Sequence, residues 1–387
     1  MSKITANILK NAPDEAIYFD YAATTPVDPR VIERMEPYFS NQFGNAASTH
    51  CWGQAARRGV EEAREQVGEL LNSPPKCIHF TSGATEAINT VLKGFALQYL
   101  AEGCHIVTCA TEHKAVIDTC TYLEEIGVEV TFLPVNYQGE IDLKELEEAL
   151  REDTRLVSLM WVNNETGVTH PIQEIAKICR QKDIPLFVDA TQAVGKVSVD
   201  VAKAGVDLLC CSAHKFYGPK GVGALYAREG LRFIPLLHGG GHEGGLRSGT
   251  LNTAGIVGMG AAAQLVSEQI DEENIRIARL RETLEKALGQ HGIDFSIHAE
   301  QAQCVPHIAS VAFPGHDARV LSERLPNLAL SQGAACTSAI IEPSHVLQAM
   351  GLSEDLALST LRFSLGRFSN QEGIDKAVQW IEEALKA

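Results

Sequence analysis

The chain has 387 residues, of which 45% are hydrophobic and 21% charged, and this is enough for two or three domains around a sizeable core. Its formal net charge is −16, which argues against a nucleic-acid backbone or an anionic membrane as the main partner. No apolar run approaches the ~20 residues that cross a bilayer, and the N-terminus lacks the apolar core of a signal peptide, so we expect a cytoplasmic protein.

From about residue 78 to 228, short apolar runs alternate with amphipathic segments. "CHIVTCA" precedes the helical "KAVIDTCTYLEEIG", "RLVSLMWV" precedes "IQEIAKICRQKD", and "IPLFVDA" and "VDLLCCSA" follow. Nearly continuous apolar strands separated by helices predict a mostly parallel sheet that is covered on both faces. Ligands of such sheets bind at the loops that follow the carboxyl ends of the strands, so candidate site residues are sought there.

Three of the predicted strand ends carry polar residues. "HFTSGATEAIN" predicts a helix whose first N–H groups, at Ala84 and Thr85, suit a phosphate together with the Thr85 hydroxyl, although a plain capped helix start fits equally well. "CATEHKAV" places His113 where an imidazole can stack on an aromatic cofactor or transfer protons. "MWVNNETG" places Asn163 and Asn164 at a further strand end, although most Asn-rich turns only turn the chain.

Two later strand ends carry an acid and a lysine. Asp189 in "LFVDATQAVG" either begins a capping box with Gln192 or faces the protonated ring nitrogen of pyridoxal phosphate (PLP). "LLCCSAHKFYGPKG" brings a strand to Ser212, His214 and Lys215, and a lysine there can form a Schiff base with an aldehyde if burial lowers its pKa. Because Asp189 and Lys215 are 26 residues apart, neighbouring strands can bring both to one pocket.

The segments after residue 230 predict a glycine-rich loop and then a second domain. In "HGGGHEGGLRSGT", His238 and His242 have a zinc-like spacing, but three intervening glycines disfavour a helix, and a phosphate-contacting loop fits better. A long helix begins near "GIVGMGAAAQ", and alternating strands and helices follow it. We therefore predict a large domain over 25–265 and a small α+β domain formed by 1–24 and 266–387.

Two segments near the C-terminus offer a thiol and an arginine fork. Cys336 in "SQGAACTSA" lies among small residues, whereas structural cysteines usually lie in apolar runs; by itself the stretch favours an ordinary surface loop. "STLRFSLGRF" places Arg362 and Arg367 beside a strand. Either arginine could be only salt-bridged, but a guanidinium fork also suits the carboxylate of an amino acid.

Taken together, the motifs resemble the cysteine desulfurases, the NifS/IscS-like branch of fold-type I (class V aminotransferase-like) PLP enzymes. The likeness is carried by "YFDYAATTPVDPRV", "FTSGATEAIN", "TEHKAV", "WVNNETG", "VDATQAVGK", "SAHKFYGPKGVGALY", "HGGGHEGGLRSGT", "GAACTSA", "EPSHVLQAMGL" and "LRFSLGRF", in the same order over about residues 17–380. It implies an α/β fold-type I PLP-dependent transferase. Its large domain would hold a mostly parallel seven-stranded sheet, and its small domain a mobile cysteine loop at about 328–342.

The resemblance also implies a role for each matching residue. Lys215 would form the Schiff base with PLP, Asp189 would pair with its pyridinium, and His113 would stack over its ring. The other implied contacts are Ala84, Thr85, Ser212 and His214 at the phosphate, Gln192 and Asn164 near the phenolic oxygen, Thr250 at the phosphate of the other subunit of a homodimer, Asn164 and Arg362 at the substrate carboxylate, and Cys336 as the nucleophile.

The implied activity is the removal of sulfur from L-cysteine, giving L-alanine and a persulfide on Cys336. Acceptor or scaffold proteins would then take the sulfur for iron–sulfur cluster assembly or thio-modification, with His113 as the candidate for proton transfer at sulfur. No resident metal is expected, while transient ligation of iron or a cluster by Cys336 stays open. The alternatives are a selenocysteine lyase or another PLP enzyme of this fold, and a non-catalytic sulfur-transfer scaffold. His307 stands where the family commonly has Asn.

Overall fold

The computed structural model describes residues 16–332 and 343–387. Short 3₁₀ turns at Pro75–Cys77, Ala213–Lys215 and Glu243–Gly245 interrupt its regular elements. In chain order the helices and strands are β1 (Ile17–Tyr18), α1 (Pro29–Met35), α2 (Pro37–Ser40), α3 (Cys51–Leu71), β2 (Ile78–Thr81), α4 (Ala84–Tyr99), β3 (His105–Cys109), α5 (Lys114–Glu125), β4 (Glu129–Leu133), α6 (Leu143–Ala149), β5 (Thr154–Met160), α7 (Ile172–Gln181), β6 (Leu186–Asp189), α8 (Val201–Ala204), β7 (Leu208–Ser212), β8 (Gly223–Ala227), α9 (Thr253–Gln290), β9 (Ser296–Ile297), β10 (Ile308–Ala312), α10 (Ala318–Arg324), β11 (Leu328–Ala329), α11 (His345–Ala349), α12 (Glu354–Leu358), β12 (Thr360–Ser364) and α13 (Gln371–Lys386).

The large sheet has seven strands in the order β2-β8-β7-β6-β5-β3-β4. Strand β8 runs antiparallel to both of its neighbours, and the other pairs are parallel. Its central strands are buried on both faces: Leu186 and Val188 of β6 pack in one apolar cluster, and Phe187 between them packs in another. Helices cover each face, which explains why these strands read as continuous apolar runs. The predicted α/β fold with a mostly parallel seven-stranded sheet is confirmed.

The second sheet is smaller and antiparallel, with the order β12-β10-β9. The 38-residue helix α9 connects the two cores, since Ile256 and Val266 in its first half pack in the large core, whereas Ile277 and Leu284 in its second half pack in the small one. The change of partner therefore falls between Val266 and Ile277, and the division near residue 265 stays a prediction.

Residues 20–25, which we call the N-terminal strap, lead from the small sheet to the edge of the large sheet. Just before the strap, the carbonyl of Phe19 accepts a hydrogen bond from the Ser364 N–H, at 2.7 Å. At the other end, the Thr25 N–H donates to the carbonyl of His214, at 2.9 Å. The strap is therefore fixed to both sheets by main-chain hydrogen bonds.

Three findings concern only residues 16–332 and 343–387. No helix there is both long and apolar enough to cross a bilayer. No group of three His, Cys, Asp or Glu side chains there has an arrangement that could hold a metal ion. The nine cysteines in these ranges are free thiols, and Cys336 lies outside the described residues.

Candidate active site

The acid, hydroxyl and lysine predicted at strand ends lie on one edge of the large sheet. Asp189 ends β6 and Ser212 ends β7, the neighbouring parallel strand, and Asp189 is in register with Cys210. Lys215 follows in the 3₁₀ turn that leaves β7. Because parallel strands end at the same edge, the local sequence alone places these three side chains in one layer.

Asp189 is a buried carboxylate, 6% exposed, without an ion-pair partner among the described residues. Its Oδ1 accepts hydrogen bonds from the Thr191 N–H at 2.9 Å and from the Cys210 thiol at 3.6 Å. The next helix, α8, begins only at Val201, and Gln192 Nε2 donates to the Ala22 carbonyl, so the capping-box interpretation does not hold. A buried carboxylate without a cation is costly, and a ligand with a protonated ring nitrogen removes that cost.

The N-terminal strap holds the amine of Lys215. Its Nζ donates to the carbonyl oxygens of Ala22 at 2.7 Å and Ala23 at 2.8 Å. Gln192 Nε2 also donates to the Ala22 carbonyl, at 2.8 Å. Gln192 Oε1 is buried and has no hydrogen-bond partner in the part of the chain that the structure describes. This orphaned acceptor can be satisfied by a hydroxyl group of a ligand.

The start of α4 lies beside Ser212 at the same edge. Its N-cap, Gly83, has a φ of 155° and provides no side-chain cap. The Ala84 N–H, which the sequence suggested for a phosphate, donates instead to Ser212 Oγ at 2.8 Å. Thr85 is exposed next to it. The close approach needs glycine on β8, because a Cβ at Gly223 would lie 2.7 Å from the Gly83 Cα.

His113 and His214 are neutral imidazoles at this edge. His113 caps α5, where its Nδ1 accepts the Ala115 N–H at 3.1 Å, so its own proton lies on Nε2 and the exposed ring can donate it. Desolvation lowers the pKa of His113, while the Asp189 carboxylate acts in the opposite direction. The Nδ1 of His214 lies 3.1 Å from Thr24 Oγ1, and burial lowers its pKa to about 4.

The two adjacent asparagines have different roles. Asn163 Oδ1 accepts the N–H groups of Glu165 and Thr166, at 2.9 and 3.0 Å, and its Nδ2 donates to the Thr111 carbonyl at 3.0 Å. These bonds use the Asn163 side chain to fix a turn. Asn164 is half-buried, and its contact with a ligand stays a prediction.

Arg362 is the arginine that meets this edge. It is 5% exposed, its Nη1 donates to the Asn164 carbonyl at 2.9 Å, and its Nη2 donates to the Asp20 carboxylate at 2.7 Å. Its Nε is buried and unpaired among the described residues. A carboxylate ligand could satisfy that N–H, so the guanidinium is both oriented by the protein and left with a donor for a substrate.

Arg367, the other predicted candidate, is a structural residue. Its Nη1 donates to Asp28 at 2.8 Å and its Nε donates to Glu273 at 3.1 Å. Its guanidinium lies 4.0 Å from the ring centre of Tyr217, which itself donates to Glu273 at 3.1 Å. Through these partners Arg367, which follows β12, links the end of that strand to α9 and to the start of α1.

Both ends of the segment that contains Cys336 are attached near Arg362. The Ser331 carbonyl accepts the Arg362 N–H at 2.6 Å, and the Ser331 N–H donates to the Arg362 carbonyl at 3.3 Å. On the other side, Ser344 Oγ donates to Glu165. Cys336 itself lies outside the described residues. Thr250 is exposed and makes no hydrogen bond to any residue that the structure describes.

Sequence reasoning missed the N-terminal strap and the residues around Glu165. The strap was quoted only as part of a resemblance, although Ala22 and Ala23 act through main-chain carbonyls that no side-chain motif signals. Ser344 and Glu165 are 179 residues apart, so no local pattern connects them. Asp20 was the one detectable signal, because an acidic residue in a motif otherwise rich in small residues invites a cationic partner.

The chain was compared with known proteins. The family model of the class-V aminotransferases matches residues 17–377. The cysteine desulfurase IscS of Anaeromyxobacter dehalogenans (strain 2CP-C) is 50% identical over 373 residues, which are 96% of this chain and 92% of that protein. A solved NifS-like protein has a TM-score of 0.90 and 38% identity, covering 96% of this chain and 99% of its own. The solved structure of SspA in complex with cysteine has a TM-score of 0.83 and 39% identity, covering 90% and 98%.

Proposed function

The chain belongs to the class-V aminotransferase family, and we propose that it is a PLP-dependent cysteine desulfurase that transfers sulfur from L-cysteine to Cys336. The supporting observation is the pairing of Arg362 with Ser331, five residues before Cys336. Since an extended chain advances at most about 3.6 Å per residue, Cys336 is tethered within about 18 Å of Ser331. An amino acid bound to Arg362 is within reach of that thiol.

The residues at the sheet edge fit PLP. Asp189 is a buried carboxylate that lacks a cation, and Gln192 Oε1 is a buried acceptor that lacks a donor. Lys215 Nζ and Gln192 Nε2 donate to the same strap carbonyl, that of Ala22. Ser212, His214 and the start of α4 form the end that suits a phosphate. When bound, PLP supplies the electron sink that allows bonds at Cα and Cβ of an amino acid to break.

Lys215 binds the coenzyme and moves the proton at the substrate Cα. The carbonyl oxygens of Ala22 and Ala23 accept hydrogen bonds from its amine, so they hold that amine in place whenever it is free of the coenzyme. Asp189 would stabilise a protonated ring nitrogen of the coenzyme, as a carboxylate of opposite charge does. Lys215 and Asp189 therefore belong to the part of the site that works on any amino acid.

Arg362 and Asn164 bind the substrate carboxylate. The unpaired Nε of Arg362 is the available donor, and the Asn164 carbonyl and Asp20 orient the guanidinium plane. Asp20 also neutralises part of the arginine charge, so an incoming carboxylate shares the guanidinium with it. This arrangement selects the position of the α-carboxylate.

Cys336 is the sulfur acceptor. Its thiolate forms an S–S bond with the cysteine sulfur as the Cβ–S bond breaks, and protonation of the remaining carbon skeleton gives L-alanine and a Cys336 persulfide. A free thiol has a pKa of ~8.5, so a group must move its proton near neutral pH. His113 is the candidate for this transfer because its ring is exposed and its Nδ1 accepts the Ala115 N–H, which leaves Nε2 as the nitrogen that can donate.

A second copy of the chain completes the site. Thr250 is exposed and unpaired within the described residues, as expected of a residue that contacts the phosphate of another subunit. Phe39, Phe43 and Trp52 expose 69%, 66% and 54% of their surface, and aromatic side chains with such exposure are typical of contact surfaces. The proposed homodimer is tested by measuring mass in solution.

The proposed partners downstream are sulfur-acceptor or scaffold proteins for iron–sulfur cluster assembly or thio-modification. Two points support this proposal: the curated relatives are named IscS, and Cys336, the proposed persulfide carrier, is only five residues from Ser331. The nine described cysteines are all free thiols, which is typical of a reducing compartment, and we place the enzyme in the cytoplasm.

The test is product analysis with a thiol variant. Purified protein should absorb in the visible as a lysine-bound coenzyme and should convert L-cysteine to L-alanine. Cys336→Ser should keep that absorbance and lose alanine formation. A Cys336→Ser protein that turns over selenocysteine at the normal rate would establish the selenocysteine lyase alternative. A protein that binds no coenzyme would establish the scaffold alternative.

A further inference from the structure

Helices α11 and α12 are similar in length and in the residue that caps them. Each has five residues and each begins with a serine cap, Ser344 and Ser353. The caps accept the N–H groups of Leu347 and Leu356, at 3.2 and 3.3 Å. The two caps differ in one contact, because Ser344 Oγ also donates to the carboxylate of Glu165. Helix capping alone therefore does not account for Ser344.

Glu165 is buried, with 4% of its surface exposed. Burial raises its pKa, whereas the Ser344 hydrogen bond and the nearby His345 and Arg362 lower it. Its side chain has one hydrogen-bond partner among the described residues, and this partner is Ser344. Because an unpaired buried carboxylate is costly, the Glu165–Ser344 contact resists separation.

A second contact lies one residue further on. The ring Nε2 of His345 donates to the main-chain carbonyl of Glu112 at 2.9 Å. Glu112 is fully buried, and its Oε1 accepts the Met160 N–H at 2.6 Å, so the carbonyl is part of a rigid layer. Glu112 immediately precedes His113, which connects this contact to the proposed proton-transfer residue.

The turn that holds Glu165 also holds the substrate arginine. Asn163 fixes the turn through the Glu165 N–H, and the Asn164 carbonyl between them accepts Arg362 Nη1. The strand of Arg362 in turn pairs with Ser331. The turn at 163–165 thus contacts Arg362 directly, and through the main chain of Arg362 it is connected to Ser331. The same turn contacts Ser344 through Glu165, so both ends of the Cys336 segment are connected to it.

We propose that Glu165, Ser344 and His345 form an anchor that positions the Cys336 segment against the amino acid bound to Arg362. The inference rests on the proposed desulfurase function and names these three as positioning residues for its sulfur-transfer step. Attack on sulfur requires the thiolate to meet the substrate in a narrow geometry, and a tethered group reacts faster when its attachment point is fixed. The steps that do not use Cys336 are independent of the anchor.

The test compares Ser344→Ala with Ser353→Ala, which removes a similar cap but no contact to Glu165. Each variant is mixed with L-cysteine, and the rate of persulfide formation on Cys336 is measured by rapid quench and mass spectrometry. In parallel, exchange of the Cα proton of L-alanine with D₂O reports on the coenzyme without the thiol. We expect Ser344→Ala to slow persulfide formation by about tenfold, the usual effect of one hydrogen bond to a charged group. Alanine exchange should change by less than about twofold.

Ser353→Ala should change both rates by less than about twofold, since its cap has no partner beyond α12. Ser344→Thr keeps the hydroxyl and should restore most of the sulfur-transfer rate. It also keeps the test informative if Ser344→Ala does not fold. Glu165→Gln retains an oxygen acceptor and should fall between the wild-type protein and Ser344→Ala.

Two failures can be told apart. If the wild-type protein exchanges the alanine proton but never carries a persulfide, the proposed function itself is wrong. If the wild-type protein forms the persulfide and Ser344→Ala forms it as fast as Ser353→Ala, the anchor is overturned and the function stands. Equal loss of alanine exchange and persulfide formation in Ser344→Ala would also overturn it, because that result indicates general damage.

Discussion

At the edge of the seven-stranded sheet, Asp189, Ser212 and Lys215 follow the ends of two adjacent strands, within 26 residues of each other. At the junction with the small sheet, Arg362 is held by Asp20 across 342 residues of sequence and Ser344 by Glu165 across 179. The first region, the sheet edge, gathers its groups by strand order. The second, the junction, gathers them by tertiary contacts alone.

The two regions have different proposed roles in the reaction. The sheet edge holds the lysine and acid that suit a coenzyme, and in the proposed function these groups act on any bound amino acid. The junction holds the arginine that suits the substrate carboxylate and the two attachment points of the Cys336 segment. Changes at the sheet edge should therefore abolish all chemistry, whereas changes at the junction should affect substrate affinity or sulfur transfer separately.

The largest effect is expected at Lys215. Lys215→Ala removes the amine that we propose binds PLP and moves the Cα proton, so kcat should fall by at least about 10³-fold and the visible coenzyme absorbance should be lost. Lys196→Met is the control, because Lys196 is a neighbouring buried lysine whose Nζ has no hydrogen-bond partner among the described residues. If Lys215→Ala kept the absorbance and Lys196→Met lost it, the lysine would be misassigned.

The next effect is expected at Asp189. Asp189→Asn keeps the volume but removes the charge that stabilises a protonated ring nitrogen, and kcat should fall by about 10²-fold while KM for L-cysteine changes little. Asp207→Asn is the matched control at the opposite end of β7, where Asp207 pairs with Arg228 at 2.6 Å. Steady-state kinetics checks both variants, and equal activities would remove Asp189 from the coenzyme site.

At the junction, the two arginines should separate binding from stability. Arg362→Lys loses the fork that suits a carboxylate, so KM for L-cysteine should rise by about tenfold or more with a smaller change in kcat. Arg367→Lys should lower Tm without raising KM, because its partners are Asp28 and Glu273. Kinetics and thermal unfolding of both variants decide the assignment, and a raised KM in Arg367→Lys alone would reverse it.

The last effect concerns stability at acid pH rather than activity, and it lies at the junction. His170 lies at the end of the turn that begins at Asn163, and its N–H donates to the Trp161 carbonyl. Its two ring nitrogens are buried without hydrogen bonds among the described residues, and burial lowers its pKa to about 4. Because the folded pKa lies below the unfolded value of 6.5, the unfolded state binds more protons between these values. Stability is therefore fully present above pH 6.5 and is lost as the pH falls towards 4, by up to about 3 kcal/mol.

His170→Phe should flatten this dependence. We expect the difference in the free energy of unfolding between pH 7 and pH 5, measured in urea, to shrink by ~2 kcal/mol in the variant. His291→Phe, a half-exposed histidine paired with Glu382, is the control. An unchanged pH dependence in His170→Phe would mean that His170 is protonated or hydrated in the folded protein.

The sequence was sufficient for the sheet edge because strand ends are local features. The apolar runs predicted strands of the large sheet, and the polar residues after those runs could therefore be placed at the edge where the carboxyl ends of the strands lie. The local sequence offered Arg362 and Arg367 together, and only the family resemblance selected Arg362. The choice depends on Asp20 and Asp28, which lie more than 330 residues away in the chain.

The junction could not be predicted for the same reason. Nothing near Ser344 in the sequence distinguishes it from Ser353, since both are caps of short helices. Only the folded chain brings Glu165 to one of them. The main-chain carbonyls of Ala22 and Ala23 are likewise invisible to any reading of side chains, although they hold Lys215.

The proposed function requires that sulfur pass to Cys336 of the chain itself before any acceptor protein receives it. The direct measurement is intact-protein and peptide mass spectrometry under non-reducing conditions after one equivalent of L-cysteine, without an acceptor. We predict one additional sulfur atom on the peptide that contains Cys336 and one L-alanine released per chain. Release of L-alanine with Cys336 unmodified, or with the sulfur on another cysteine, would contradict the account.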